Sequence, residues 1–233
     1  MKAFERRPGR ARLTPRISNF RMTLETPCPF LALTMAVLLP PAASAQDNAK
    51  DNAKNNDKSE KAREAAFDKR VFGGPIGNKA VACFVRRYDA SHLAQHGKQK
   101  VSSMKPLVTA ENHPKEPTAY AYKVGVQFRN KPGNFDGGGA CSHMVDDDGK
   151  KISFSCDVEC GGGGLEIAMS KNDKSAIVNL EVIGVWDRKH PKKDAVALEG
   201  GADDKTFRLD RVDNAECADL QTNHKEIASL QRK

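Results

Sequence analysis

The sequence predicts a mainly β protein: a single antiparallel barrel or sandwich of about eight strands, with one short helix. Three observations predict it. Between about residues 71 and 220, apolar and polar side chains alternate with period two, and the runs are separated by Gly, Pro, Asn and Asp. Asp148-Gly149 stands between two such runs, a strong short-range hairpin signal. Helical punctuation is found in one place within the domain, where Asp89 caps, 91–96 fills the turn and Gly97 closes it in the left-handed conformation.

The expected strands are 79–86, 101–109, 119–129, 139–146, 151–159, 165–170, 175–186, 195–199 and 205–211. If Asp148-Gly149 is a two-residue turn, paired residues sum to 297, so Val145 faces Ile152, His143 faces Phe154 and Cys141 faces Cys156. Counted outward from that turn, 141:156 is a hydrogen-bonded pair, the wider spacing and the less natural one for a bridge. A bulge near Gly137–Gly139, or pairing of Cys141 with Cys160, fits as well. Further on, Leu165, Ile167 and Met169 share one face and Val178, Leu180 and Val182 return along it. Ile183 and Val185 point the other way, which implies that this strand is covered on both sides near its end. Consecutive hairpins close readily, so a barrel is preferred to a sandwich.

Outside the domain the 233-residue chain changes character. Residues 1–45 carry Arg6, Arg7, Arg10, Arg12, Arg16 and Arg21, then the apolar run 30–39, then Ala43-Ser44-Ala45. That order is the signature of a secretory signal peptide, and ten apolar residues are too few to span a bilayer. Residues 46–70, with DNAK at 47–50 and again at 51–54, read as a polar disordered tether in which 59–67 forms at most a short helix capped by Ser59. The β domain follows over 71–220, and 221–233 is a tail.

The net charge of +8 belongs mostly to the leader. Without residues 1–45 the basic and acidic side chains number 31 and 28, a net of +3, which is ordinary for a soluble surface. No basic stripe interleaved with aromatic residues is present, so nucleic acid is excluded as the expected partner. Five cysteines remain after the leader: Cys83, Cys141, Cys156, Cys160 and Cys217. In an oxidising compartment they are expected to pair as Cys83 with Cys217, joining the two ends of the domain, and Cys141 with Cys156, which leaves Cys160 as a free thiol.

The run Cys83 to His96, with Gln99 and Val101, resembles a pattern in small uncharacterised exported proteins of α-proteobacteria. So do Gly200 to Arg211 followed by Cys217, and the glycine-rich stretch from Cys141 to Gly164. The resemblance spans nearly the whole mature domain. It implies a signal peptide and cysteine bridges, and no activity. Such relatives carry a further cysteine in the strand that here reads Val178 to Trp186, and its absence accounts for the odd count.

Residues with chemical potential are few. His92 and His96, four apart on the expected helix, are weak candidates for a metal, since zinc needs three or four ligands and His143, His113 or His190 would have to complete the set. Asp146-Asp147-Asp148-Gly149 and Asp203-Asp204 lack the spacing of a calcium loop. Gly161–Gly164 is not followed by Gly-Lys-Ser/Thr and reads as a crossover or bulge. Cys156 to Cys160 lacks C-x-x-C spacing, and no Ser-His-Asp motif is present.

The expected function is a non-enzymatic binding or interaction module, periplasmic or secreted and monomeric. It should meet a protein or envelope component, with no cofactor. Two alternatives differ in class: a metal-dependent enzyme using His92 and His96, and a proteinaceous inhibitor of a cell-envelope or secreted enzyme.

Overall fold

The structure, a computed structural model, describes residues 45–157 and 163–231, with side chains from residue 56 onward. The leader expected over 1–45, apart from Ala45, and the thiol of Cys160 lie outside the described residues.

Eight strands close a barrel. They are β1 (Lys79–Arg87), β2 (Val101–Glu111), β3 (Ala119–Phe128), β4 (Lys131–Val145), β5 (Ile152–Asp157), β6 (Gly164–Met169), β7 (Ser175–Leu180) and β10 (Thr206–Val212). Around the ring the order is β3-β2-β1-β10-β7-β6-β5-β4, and β4 pairs back onto β3, with every neighbour antiparallel. Of the two expected architectures the barrel is the one formed. Two further strands, β8 (Val182–Asp187) and β9 (Val196–Glu199), make a hairpin attached to β4 through Phe135 with Asp187 and Asp136 with Trp186.

The interior is filled by side chains from every strand of the ring, among them Phe84, Met104, Val124, Phe135, Phe154, Ile167, Val178 and Phe207. The run Ala82-Cys83-Phe84-Val85 is buried throughout. Ala82 and Phe84 join the barrel core, while Cys83 and Val85 face outward beneath a 3-10 helix (Asn214–Leu220) and helix α3 (His224–Gln231), in a second cluster with Leu107, Leu220 and Leu230. The stretch 221–233 is therefore more than a tail. Cys83 and Cys217 are joined in that outer cluster, so the bridge clamps the C-terminal segment to the barrel wall.

The β4–β5 hairpin has the register that sums to 297, and Cys141 is bonded to Cys156. Its turn differs from the expected one. Gly149 donates to the carbonyl of Asp146, and Asp146 donates to the carbonyl of Lys151, so four residues, 147–150, lie outside the closing pair. Gly149 takes φ +69°, and the Asp146 carboxylate accepts from the amides of Lys150 and Lys151. Lengthening the loop from two residues to four keeps the partners and exchanges the hydrogen-bonded and non-bonded pairs. Cys141 and Cys156 thus occupy a close pair, with Cα atoms 4.0 Å apart.

Other expectations are corrected. The strand expected over 175–186 is two, β7 and β8, broken at Glu181, whose amide donates to Gly164 while its carbonyl accepts from Gly200. Burial changes phase across that break, from Ala176, Val178 and Leu180 to Ile183 and Val185. The opposed apolar residues come from a change of partner, not from a strand covered on both sides. β4 begins at Lys131, eight residues earlier than expected, and passes through Gly137–Gly139 without a bulge. These glycines are required by crowding. A β-carbon at Gly139 would collide with the carbonyl of Asp157, and one at Gly137 would stand 2.8 Å from the carbonyl of Gly184.

Helix α2 (Ala90–Gln95) starts at Asp89, whose side chain accepts from the amide of His92, as expected. It closes at His96, with φ −109°, and Gly97 is not left-handed. The largest difference is at the N-terminal side. Residues 45–72 form helix α1, and Ser59 lies inside it rather than at its start. The segment expected as a disordered tether is ordered because Phe67 and Val71 are buried in the barrel core. The helix ends where Gly73, at φ +76°, turns the chain.

Candidate functional site

The last turns of α1 cross one end of the barrel, and titratable side chains from distant segments converge there. Glu64, Phe67, Asp68 and Val71 recur at i, i+3, i+4 and i+7, so they share one helix face. Phe67 enters an aromatic cradle. Its ring packs edge-on to Phe154 at 5.0 Å and to His143 at 6.0 Å, and Tyr120 lies 4.8 Å from His143 and 5.0 Å from Phe154. Tyr120 begins the inward set of β3, and His143 and Phe154 are partners across the β4–β5 hairpin.

Asp68, 7% exposed, is the polar centre of this cradle. Its Oδ2 accepts from the Tyr120 hydroxyl at 2.7 Å, and its Oδ1 lies 2.8 Å from Nε2 of His143. A carboxylate that accepts at both oxygens requires the proton on that imidazole nitrogen. The other ring nitrogen, Nδ1, stands 3.8 Å from Glu64. Burial drives the Tyr120 phenol far above its ordinary value, and the neighbouring Asp68, as hydrogen-bond acceptor and as charge, pushes it the same way. Tyr120 is therefore a fixed donor rather than a base.

The surroundings complete the fastening. Arg70 donates to Asp173 and to the carbonyl of Ser170 in the β6–β7 turn. Arg211 of β10 donates to the carbonyls of Arg70 and Val71, satisfying the C-terminal end of the helix, and Arg63 reaches the carbonyl of Gly149. A cleft of about 460 Å³ remains between Lys61, Glu64 and Asp68 on the helix and Thr118, Tyr120 and His143 on the rim. Cys141 also lines it, but as half of a disulfide it offers no thiolate. Both oxygens of Asp68 are directed at strand residues of the rim, so the arrangement is suited to holding α1 on the barrel mouth.

The metal candidates are engaged differently. His92 stacks between Tyr88, at 4.6 Å, and His96, at 4.2 Å. Its Nε2 meets the side-chain oxygen of Gln99, whose amide nitrogen donates to the carbonyl of Val101. His143 is held at the opposite end by Asp68, and His190 pairs with Asp187. Among the described residues no group of three or more His, Cys, Asp or Glu side chains is placed to hold a metal ion. Asp146 closes its own hairpin loop, while Asp203 and Asp204 accept from backbone amides of Lys98, Lys100 and Val101. Gly163 and Gly164, the described part of the glycine run, fit against Val182 and the carbonyl of Cys156.

Reading the sequence missed Glu64, Asp68 and Tyr120. The signal that could have found them is the apolar-acidic face from Glu64 to Val71 followed by the stop Gly73-Gly74-Pro75. No protein-family model, no curated protein and no solved structure matches this chain.

Proposed function

We propose that the chain is an exported, monomeric, non-enzymatic binding or interaction module that works in the periplasm or outside the cell. The observation that carries this reading is the filled barrel. Eight strands can enclose a ligand or a packed core, and here Phe84, Val124, Phe154, Ile167 and Phe207 occupy the interior while α1 covers one mouth. Recognition is left to the outer surface. The leader pattern at 1–45, the two disulfides and the lack of a helix long and apolar enough to cross a membrane among the described residues all favour export as a separate protein.

Two measurements on the native protein test this. Cell fractionation with N-terminal sequencing should find a chain that begins near Gln46 outside the cytosol, with Cys83, Cys141, Cys156 and Cys217 resistant to alkylation until reduced. A fluorescent fatty-acid analogue should fail to enter the barrel. Saturable uptake into the interior would convert the reading to a small-molecule carrier, and cytosolic protein with all thiols reactive would remove it altogether.

A further inference from the structure

The β8–β9 hairpin stands apart from the ring, and its two faces differ. Ile183, Val185 and Leu198 are buried, whereas Trp186 is 37% exposed and Ala195 and Ala197 are open to solvent. Trp186 is the single tryptophan of the chain. The edge of its six-membered ring lies against Gly184, 3.4 Å from where a β-carbon would stand, with the methyl of Ala195 3.6 Å from the same point. Ala197 is the cross-strand partner of Gly184, so an indole stands beside a floor of very small residues.

The loop that joins the two strands is basic. Lys189, Lys192 and Lys193 are exposed and have no ion-pair partner among the described residues. Two acids stand nearby, Asp187 and the exposed Asp194. Asp187 is occupied by His190 and by the amide of Lys189, and these contacts hold its carboxyl below the usual range. Arg188 turns back to Asp136 and Asp219. Three lysines against Asp187 and Asp194 leave an excess of positive charge next to an exposed aromatic ring.

We propose that this face binds an anionic glycan. The apolar C–H face of a sugar ring would rest against Trp186 over the Gly184, Ala195 and Ala197 floor, and its carboxylates or phosphates would meet Lys189, Lys192 and Lys193. The proposal rests on the module reading, since export brings the face to the polymers of the envelope. A glycan suits the geometry better than a lipid surface, because the indole lies along the sheet rather than projecting from the loop tip. It also suits it better than a single-stranded nucleic acid, which uses successive aromatic residues to stack successive bases.

The sole tryptophan makes the test specific. The full mature chain is titrated with oligogalacturonate, with maltohexaose as the neutral control and with vesicles of phosphatidylglycerol and phosphatidylcholine. A saturable change in tryptophan emission is expected with oligogalacturonate, weakened about tenfold in K192Q/K193Q, consistent with two exposed charge contacts. Trp186→Ala, read by calorimetry, should bind at least tenfold more weakly while its circular dichroism is unchanged. Equal affinity for wild type and K192Q/K193Q, a response to vesicles alone, or no response to any probe overturns the assignment of this face. A barrel that still excludes the fatty-acid analogue in those cases leaves the module reading intact.

Discussion

Tyr120 and Asp68 are 52 residues apart in sequence and share a hydrogen bond of 2.7 Å that joins the rim of the barrel to helix α1. The same carboxylate meets His143, so one helical side chain is gripped from two strands. Tyr120→Phe removes the hydroxyl and leaves one oxygen of Asp68 without its donor. A loss of about 1–2 kcal/mol is expected. His143→Ala should cost more, since it also empties part of the aromatic cradle. Urea unfolding gives the magnitude. Limited proteolysis of residues 56–66 tests the location, because an unlatched helix should be cut in the variants well before the barrel unfolds.

Alkaline pH acts on the same end and on the core. Burial pushes the Tyr122 phenol up to about 12, with Asp157 adding to the shift, and the Tyr120 phenol is raised as well. Both groups are raised in the folded state, so their contribution to stability is complete below the ordinary tyrosine value of about 10 and is lost as pH rises above it. Stability measured from pH 8 to 11.5 should be level at first and then fall. Y120F should fall less steeply than wild type, and an identical slope would refute the role given to Tyr120.

Glycines separate close approach from simple freedom. At Gly139 the Asp157 carbonyl occupies the place of a β-carbon, so Gly139→Ala must displace backbone and should cost 3 kcal/mol or more, at about the upper end for a small residue. Gly74 has nothing within 4 Å of that place and no positive φ. Gly74→Ala should be neutral, or stabilising by about 0.4–1 kcal/mol through the unfolded chain. Thermal melts of the two variants are the comparison.

The two bridges differ in reach. Cys83–Cys217 closes a separation of 134 residues and Cys141–Cys156 one of 15. In the chain-entropy picture these are worth about 4–5 and about 3 kcal/mol. Replacing each pair by serine should therefore lower stability more for the first, and hydrogen exchange should show the 3-10 helix and α3 released from β1. A larger loss from the short bridge would mean that the hairpin, and not the C-terminal clamp, limits unfolding.

The Cys141–Cys156 bridge, most of the strands and the hairpin register were legible in the sequence because each depends on neighbours close along the chain. Period-two alternation assigns side chains to faces, and an acidic turn with Gly149 sets which residues meet. Even there the loop length was decided by Asp146, whose carboxylate gathers two amides, and with it the parity that brings Cys141 and Cys156 close. What tertiary structure decided is non-local. The run 46–70 is too polar to order alone, and it becomes part of a helix only where Phe67 finds Phe154 and Asp68 finds Tyr120 and His143. Gly139 is needed only because β5 crosses beside it, and the phase change at Glu181 arises from a change of partner strand. Composition and periodicity record what a segment prefers by itself, whereas the latch and the crossings exist only once the ring has closed and distant side chains share one volume.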